Sequence, residues 1–376
     1  MTTPPLIHWT EAGKERSAHW QSESGSHPPK RVVVADDTLK ADAAYRLACE
    51  GTAILWRGDF QNARQLLQAM SRRIDNSASR SKTKPATPKE AFNLYRLAQS
   101  QRARTLAMLL LPFDANHVIP LRRAPDVYAA CVEAYGERKT SYVTSLRELL
   151  GLIGAHEWRK KGVEIPFLED RIHPHYGVFS PVRGEYVALV AHTPLPSTEL
   201  AFDIGTGTGV LAAVLAKRGV KHIVATDQDQ RALTCARENL ARLGYDKQVA
   251  VLQENMFPPG KAPLIVCNPP WIPARPSSPL EHAVYDPESC MLRTFLHGLA
   301  EHLETNGEGW LILSDLAEHL GLRTREELLG WINSAGLQVL ERLDTKPSHP
   351  KAADANDPLH AARAAEVTSL WRLAAK

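Results

Sequence analysis

Leu200-Ala201-Phe202-Asp203-Ile204, then Gly205-Thr206-Gly207-Thr208-Gly209, then Val210-Leu211-Ala212-Ala213-Val214-Leu215-Ala216 is the stretch on which the fold turns. A short apolar run reads as a buried strand, and the apolar run after the glycines reads as a helix. Strand, glycine turn and helix make the first unit of a mainly parallel α/β sheet, with glycines where the backbone must pass close to a ligand. The glycine spacing narrows the choice of ligand. A dinucleotide fingerprint needs its third glycine at position 210, which is Val210 here, so nicotinamide binding is disfavoured. The pattern is instead Gly-x-Gly-x-Gly with an acid, Asp203, two residues ahead of it.

Working outward, His222-Ile223-Val224-Ala225-Thr226 is a second strand tipped by Asp227, with a helix from Arg231 to Leu243 after it. A carboxylate at that tip can accept both ribose hydroxyls of an adenosine, and Asp229 is placed to cap the helix. The third strand, Val249 to Leu252, runs into Gln253-Glu254-Asn255-Met256-Phe257, where a polar side chain would face an adenine edge and Met256 and Phe257 would offer apolar walls. Leu264-Ile265-Val266-Cys267 is the fourth strand, and Asn268-Pro269-Pro270-Trp271 follows at its carboxyl end. An amide acceptor, a rigid backbone carbonyl and a flat ring suit a planar NH2 group, either the exocyclic amine of a base or a glutamine amide. The alternative is an ordinary strand exit, since Asn-Pro is a common turn starter. Trp310 to Ser314 is a fifth strand after a helix from Cys290 to Leu303, and Leu337 to Leu343 and Val367 to Leu373 are the sixth and seventh.

With these motifs in this order, residues 166–376 resemble the class I S-adenosyl-L-methionine (SAM)-dependent methyltransferases. More narrowly, they are similar to the small-domain branch, whose Asn-Pro-Pro-aromatic motif methylates amino or amide nitrogens in ribosomal RNA or in release factors. Tyr176-Gly177-Val178-Phe179-Ser180-Pro181 is similar to the lead-in segment of that branch. The resemblance implies an α/β, Rossmann-like seven-stranded methyltransferase sheet with the last strand antiparallel, and SAM as cofactor. It implies cofactor contacts from Asp203, Gly205, Thr206, Gly207, Gly209, Asp227, Asn255, Met256 and Asn268, and catalytic roles for Asn268, Pro269, Pro270 and Trp271. Asn268 Oδ1 and the Pro269 carbonyl would accept the target N–H bonds, and Trp271 would stack on the target. One departure is Asn255, where the branch usually carries aspartate; a carbonyl oxygen still accepts the adenine amine.

The rest of the chain bounds the reading. At 376 residues it exceeds one such domain, so two domains are expected. Residues 1–30 are polar and Ser- and Pro-rich and are expected to be disordered; 31–165 read as a mostly helical accessory domain for substrate recognition. In it, Leu39 to Ala48 and Ala63 to Met70 repeat at helical spacing, Thr87-Pro88-Lys89-Glu90 is a helix start, Pro125 opens a helix through Val132, and Ser141 to Trp158 reads as one amphipathic helix. Trp56 and Trp158 are expected in the core. The five cysteines show no Cys-x-x-Cys and the fifteen histidines no metal spacing, so neither a disulfide frame nor a metal site is expected and the location is read as cytoplasmic. No apolar run is long enough to span a bilayer.

The net charge of +3 is too small to imply nucleic acid alone. Arg72, Arg73, Arg80, Lys82, Lys84, Lys89, Arg96, Arg102 and Arg104, however, cluster against only Asp75 and Glu90. Such a cluster is either an RNA-facing arm or a solvated basic loop. A second loop spans Lys346 to Ala365 and includes Lys351 and Arg363. These basic stretches together with the flat ring of Trp271 make RNA the favoured partner. The rivals are glutamine N5-methylation of a release-factor-type protein and a non-catalytic or oxidoreductase Rossmann-like protein; Trp271 in place of the usual tyrosine and a long accessory domain count against the glutamine reading. The oligomeric state is not read from the sequence.

Overall fold

The computed structural model describes every residue except 1–4, 79–84, 277–280, 282, 348–353 and 356. The chain divides into two compact units, one formed by Met1–Pro85 and Asn93–Glu157 and the other by Ala86–Phe92 and Trp158–Lys376.

The amino-terminal unit carries the expected helices around a sheet that was not expected. Strands β1 (Leu6–Glu11), β2 (Lys14–Trp20), β3 (Arg31–Ala35), β4 (Thr52–Trp56), β5 (Leu109–Phe113) and β6 (Tyr142–Ser145) form a six-stranded sheet in the order β1-β2-β6-β5-β4-β3. Helices α1 (Ala41–Cys49), α2 (Phe60–Ala78), α3 (Pro88–Leu106), α4 (Tyr128–Tyr135) and α5 (Leu146–Lys161) connect the strands or follow them, with α3 and α5 running across the unit boundaries. Two expectations are corrected here. First, residues expected to be disordered form the β1–β2 hairpin. Ile7 and Trp9 alternate onto its buried face, and Ala12 and Gly13 both take positive φ, 51° and 73°, the two-residue turn that matches strand twist. Second, β4, β5 and β6 are buried along their whole length. A short, continuously apolar strand has no period-2 signal to set it apart from a buried helical segment. The single helix expected from Ser141 is a strand, β6, followed by α5; β6 is Tyr-Val-Thr-Ser, buried throughout although half of it is polar. Trp56 is buried on a strand, and Trp158 is 50% exposed under the Lys161 ammonium, outside the core.

Pro112 lies inside β5, a central strand. The ladder from β4 pairs only Leu109 and Leu110, so the missing N–H falls beyond its end. The Thr87 hydroxyl accepts from Glu90 N at 3.1 Å at the start of α3, as the sequence implied.

The second unit starts with an antiparallel pair, β7 (Val163–Ile165) and β8 (Asp170–Ile172), followed by α6 (Glu185–His192). Its main sheet is built from β9 (Leu200–Ile204), β10 (His222–Asp227), β11 (Val249–Gln253), β12 (Ala262–Cys267), β13 (Leu303–Ser314), β14 (Leu337–Thr345) and β15 (Thr368–Ala375). The seven strands run in the order β11-β10-β9-β12-β13-β15-β14. β9 to β13 are mutually parallel, and β15 is antiparallel to both its neighbours. This is the Rossmann-like seven-stranded sheet expected. Helices α7 (Val210–Lys217), α8 (Gln230–Arg242), α9 (Cys290–His302), α10 (Leu316–His319), α11 (Arg325–Ser334) and α12 (His360–Ala365) complete the unit. α12 occupies the end of what the sequence presented as a loop.

Period-2 alternation distributes each strand between two cores. Leu264 and Val266 face the layer of α6 and α7, whereas Ile265 and Cys267 face that of α9 and α11. Trp310 and Ile312 divide from Leu311 and Leu313 in the same way. Both faces are covered, so the parallel strands read as unbroken hydrophobic runs. Truncating a fully buried residue such as Ile265 to alanine would cost about 2–5 kcal/mol. At the edge, the register of β14 against β15 shifts between Val339 and Glu341, skipping Leu340. Among the described residues, no helix is long and apolar enough to cross a membrane.

Candidate active site

The sheet order places β9 at the point where the strands reverse their direction of addition, with β10 on one side and β12 on the other. In open α/β sheets the crevice beyond such strand ends is where ligands bind. Three sequence motifs meet there, because each follows one of these adjacent parallel strands.

After β9 the chain turns through Gly205, Gly207 and Gly209, all at positive φ, and enters α7. Asp203 organises this turn from below. Its Oδ2 accepts from the Thr206 hydroxyl at 2.6 Å and from Ala212 N at 3.1 Å, and the residue is 1% exposed. Burial pushes its carboxyl up to about 6 despite these bonds. Asp203 was expected to be a cofactor contact; its position makes it a buried support for the residues that would make that contact. The glycines differ among themselves. A methyl group at Gly209 would come within 3.2 Å of the Ala236 backbone, so that glycine serves helix packing. At Gly207 a methyl would meet no protein atom within 4 Å, leaving room beside the backbone for a ligand.

The tip of β10 is tied to this turn. Asp227 Oδ2 accepts from Gly207 N at 3.0 Å, and Oδ1 accepts from Asp229 N at 3.0 Å. A backbone bond from Gln228 adds to these, and the carboxylate's remaining acceptor capacity is open to a ligand hydroxyl. Burial raises the Asp227 carboxyl above its ordinary range, opposed by those backbone donors. Asp229 caps α8 by accepting from Arg231 N at 3.0 Å, as expected. These groups fit an adenosine: paired acceptors for the ribose diol beside a turn with no side chain in the way.

Past β11, Asn255 is exposed and Met256 is partly buried with φ of 119°, an unusual value outside glycine. The Thr226 hydroxyl holds this backbone by donating to Met256 O at 2.6 Å. Phe257, expected as a wall for adenine, turns instead into the core. It stacks on Phe295 and, at 4.3 Å between ring centres, on His302, and it fills the space above Gly298.

At the end of β12, Cys267 is fully buried and burial pushes its thiol well up, so it acts as a small hydrophobe. Asn268 and Pro270 are half-buried, and Pro269 is buried. Trp271 Nε1 donates to Asn268 Oδ1 at 2.8 Å. The Arg183 guanidinium lies over the Trp271 ring, 4.9 Å from its centre. The ring expected to lie open for stacking therefore has one face occupied. The loop after Trp271 returns at Tyr285, which pairs with Ile272, and buried Asp286 caps α9 by accepting from Met291 N and Leu292 N at 3.0 and 3.1 Å.

Arg183 and Asp286 had no signal in the sequence, since neither stands in a motif and Arg183 lies far upstream of the residue it covers. In the basic cluster, Arg73 pairs with Asp42 and Arg102 with Asp75. Arg80, Lys82, Lys84 and Lys351 lie outside the described residues.

Residues 169–328 match the model of the family described as methyltransferase small domain. The release factor glutamine methyltransferase of Cereibacter sphaeroides is 31% identical over 159 residues, covering 38% of this chain and 55% of that protein. The tRNA1(Val) (adenine(37)-N6)-methyltransferase of Bacteroides thetaiotaomicron is 30% identical over 142 residues, covering 36% and 60%. The ribosomal protein L11 methyltransferase of Clostridium perfringens is 44% identical over 69 residues, covering 18% and 22%. This chain thus spans less than two thirds of the length of each relative. The glycine turn after β9, the acid at the tip of β10 and the Asn-Pro-Pro-Trp exit of β12 all fall inside the segment, residues 169–328, that matches the methyltransferase small domain family.

Proposed function

We propose that this protein is a SAM-dependent N-methyltransferase acting on a planar amino group, with RNA as the substrate class. The observation that carries the proposal is the convergence of Asn268, Asp227 and the Gly205–Gly209 turn at the ends of three adjacent parallel strands. Asp227 and the turn around Gly207 would hold the cofactor, and Asp203 would hold the turn. Bound there, SAM supplies an electrophilic methyl group on a sulfonium. The chain's own residues then have mainly to orient the acceptor. Asn268 Oδ1, which keeps one lone pair beyond its bond to Trp271, and the Pro269 carbonyl accept the two N–H bonds of the target amine. That directs the nitrogen lone pair away from them and stabilises the positive charge that develops on it. The proton can leave afterwards to water, so no dedicated base is required.

An exocyclic amine such as that of adenine is favoured over a glutamine amide by the tryptophan at position 271 and by the size of the additional amino-terminal unit, to which we assign substrate recognition. The release-factor relative keeps glutamine as the second reading. The test is transfer of label from methyl-labelled SAM to total RNA and to total protein from a strain lacking this protein, followed by mass spectrometry of the labelled fraction. Label in an N-methylated base supports the RNA reading and label in glutamine the protein reading. Absence of label in both fractions overturns the activity.

A further inference from the structure

Resting on the methyltransferase reading, we propose that Trp271 is a positioning residue whose indole N–H sets the orientation of the Asn268 amide, and that Arg183, anchored by Glu366, holds Trp271 in place.

The argument starts from donor chemistry. An indole N–H can only donate, so the Asn268 atom it meets at 2.8 Å is the carbonyl oxygen, and the amide NH2 is turned the other way. The terminal torsion of asparagine is broad and roughly two-fold, so an unrestrained amide samples both orientations. In the wrong one it offers NH2 to the target's NH2, two donors facing each other. The Trp271 bond removes that orientation and leaves one oxygen lone pair for the target.

The ring itself is held. It packs against both cores of the sheet, and Arg183 covers one face. Arg183 is anchored in turn, with Nε donating to Glu185 Oε1 at 2.8 Å and Nη2 to Glu366 Oε1 at 3.0 Å. Glu366 is 4% exposed and also accepts from the Ser314 hydroxyl at 2.6 Å. Ser314 ends β13, the neighbour of β12, and Glu366 immediately precedes Val367 and β15. Moving Arg183 off the ring would strand a buried carboxylate, which is strongly disfavoured. A continuous set of contacts therefore runs from the sheet through Glu366, Arg183 and Trp271 to Asn268.

The discriminating substitution is Trp271→Phe, which keeps a ring under Arg183 and deletes the donor. With total RNA from a strain lacking the protein as substrate, kcat should fall about 3–10-fold, the loss of one neutral hydrogen bond, while KM and SAM affinity stay within twofold. In an Asn268→Asp background both oxygens accept, so there is no orientation to set and the same change should leave kcat as it stands in that background. Equal losses in both backgrounds, or an unchanged kcat in Trp271→Phe alone, overturn the positioning role. A second measurement needs no substrate. The Trp271 indole N–H resonance of the ligand-free protein, identified by its disappearance in Trp271→Phe, should shift and exchange faster with solvent in Asn268→Ala, and shift in Glu366→Gln. An unmoved resonance in Asn268→Ala overturns the bond itself. If wild type labels neither RNA nor protein, the methyltransfer reading fails and the positioning role with it, whereas wild-type activity retained in Trp271→Phe sinks only the positioning role.

Discussion

Gly207 N donates to Asp227 Oδ2 at 3.0 Å, which makes the turn after β9 and the acid at the tip of β10 one hydrogen-bonded unit. The backbone that must lie beside a ligand and the carboxylate that must bind its hydroxyls are thereby registered to each other before anything arrives, a form of preorganisation.

Asp227→Ala should weaken SAM binding by about 1.5–3 kcal/mol, the range for hydrogen bonds to a charged group. Titration calorimetry on the purified protein measures this directly. Binding of NADH in place of SAM would reassign the cofactor.

Asn268→Ala should lower turnover by about 10²–10³, like the loss of one oriented group facing developing charge, with SAM affinity nearly intact. Asn268→Asp should retain measurable activity because a carboxylate still accepts. Wild-type rates in Asn268→Ala would remove Asn268 from the chemistry.

The glycines of the turn should separate by phenotype. Gly209→Ala places a methyl 3.2 Å from the Ala236 backbone at a φ of 79°, so the fold should lose about 2 kcal/mol or more. Gly207→Ala meets no protein atom within 4 Å; it should cost only about 1–2 kcal/mol in backbone strain but weaken SAM binding at least about tenfold. Denaturant melts and calorimetry on the two variants check the split.

Asp203 makes stability depend on pH with a definite sign. Its folded carboxyl is raised from 3.8 to about 6, so the folded state binds the proton more tightly than the unfolded chain does. The stabilisation from protonation is present below pH 3.8 and is lost as pH rises to about 6. Asp203→Asn cannot ionise, so the stability difference, variant minus wild type, should rise through that window by up to about 3 kcal/mol and level off above it. A difference that is flat with pH would mean that Asp203 is not buried as described.

Much of the second unit was legible because its signals are local. Strand, glycines and helix are contiguous at 200–216, Asp227 closes a strand, and Asn268 follows an unbroken apolar run. What was missed depends on distance or on ambiguity. Arg183 reaches Trp271 only through the fold, and no spacing announces it. Phe257 looked like a ligand wall because it follows a strand end, but the absence of a side chain at Gly298 lets it turn inward. In the amino-terminal unit, β4 to β6 are buried on both faces, which erases the alternation that marks a strand. The β1–β2 hairpin carried a readable cue in Ile7, Trp9 and Gly13, obscured by the polar residues around them.

The skipped residue in β14 bears on solubility. β14 ends the seven-stranded sheet, so among the described residues one side of its backbone has no partner strand, and Val339 and Leu340 are 38% and 49% exposed beside it. A regular apolar edge of this kind is a template on which another chain can add. The register shift at Leu340 breaks the regular spacing of donors and acceptors there, so an incoming strand that pairs on one side of it falls out of step on the other, and the exposed charges of Glu341 and Arg342 immediately after it discourage pairing further.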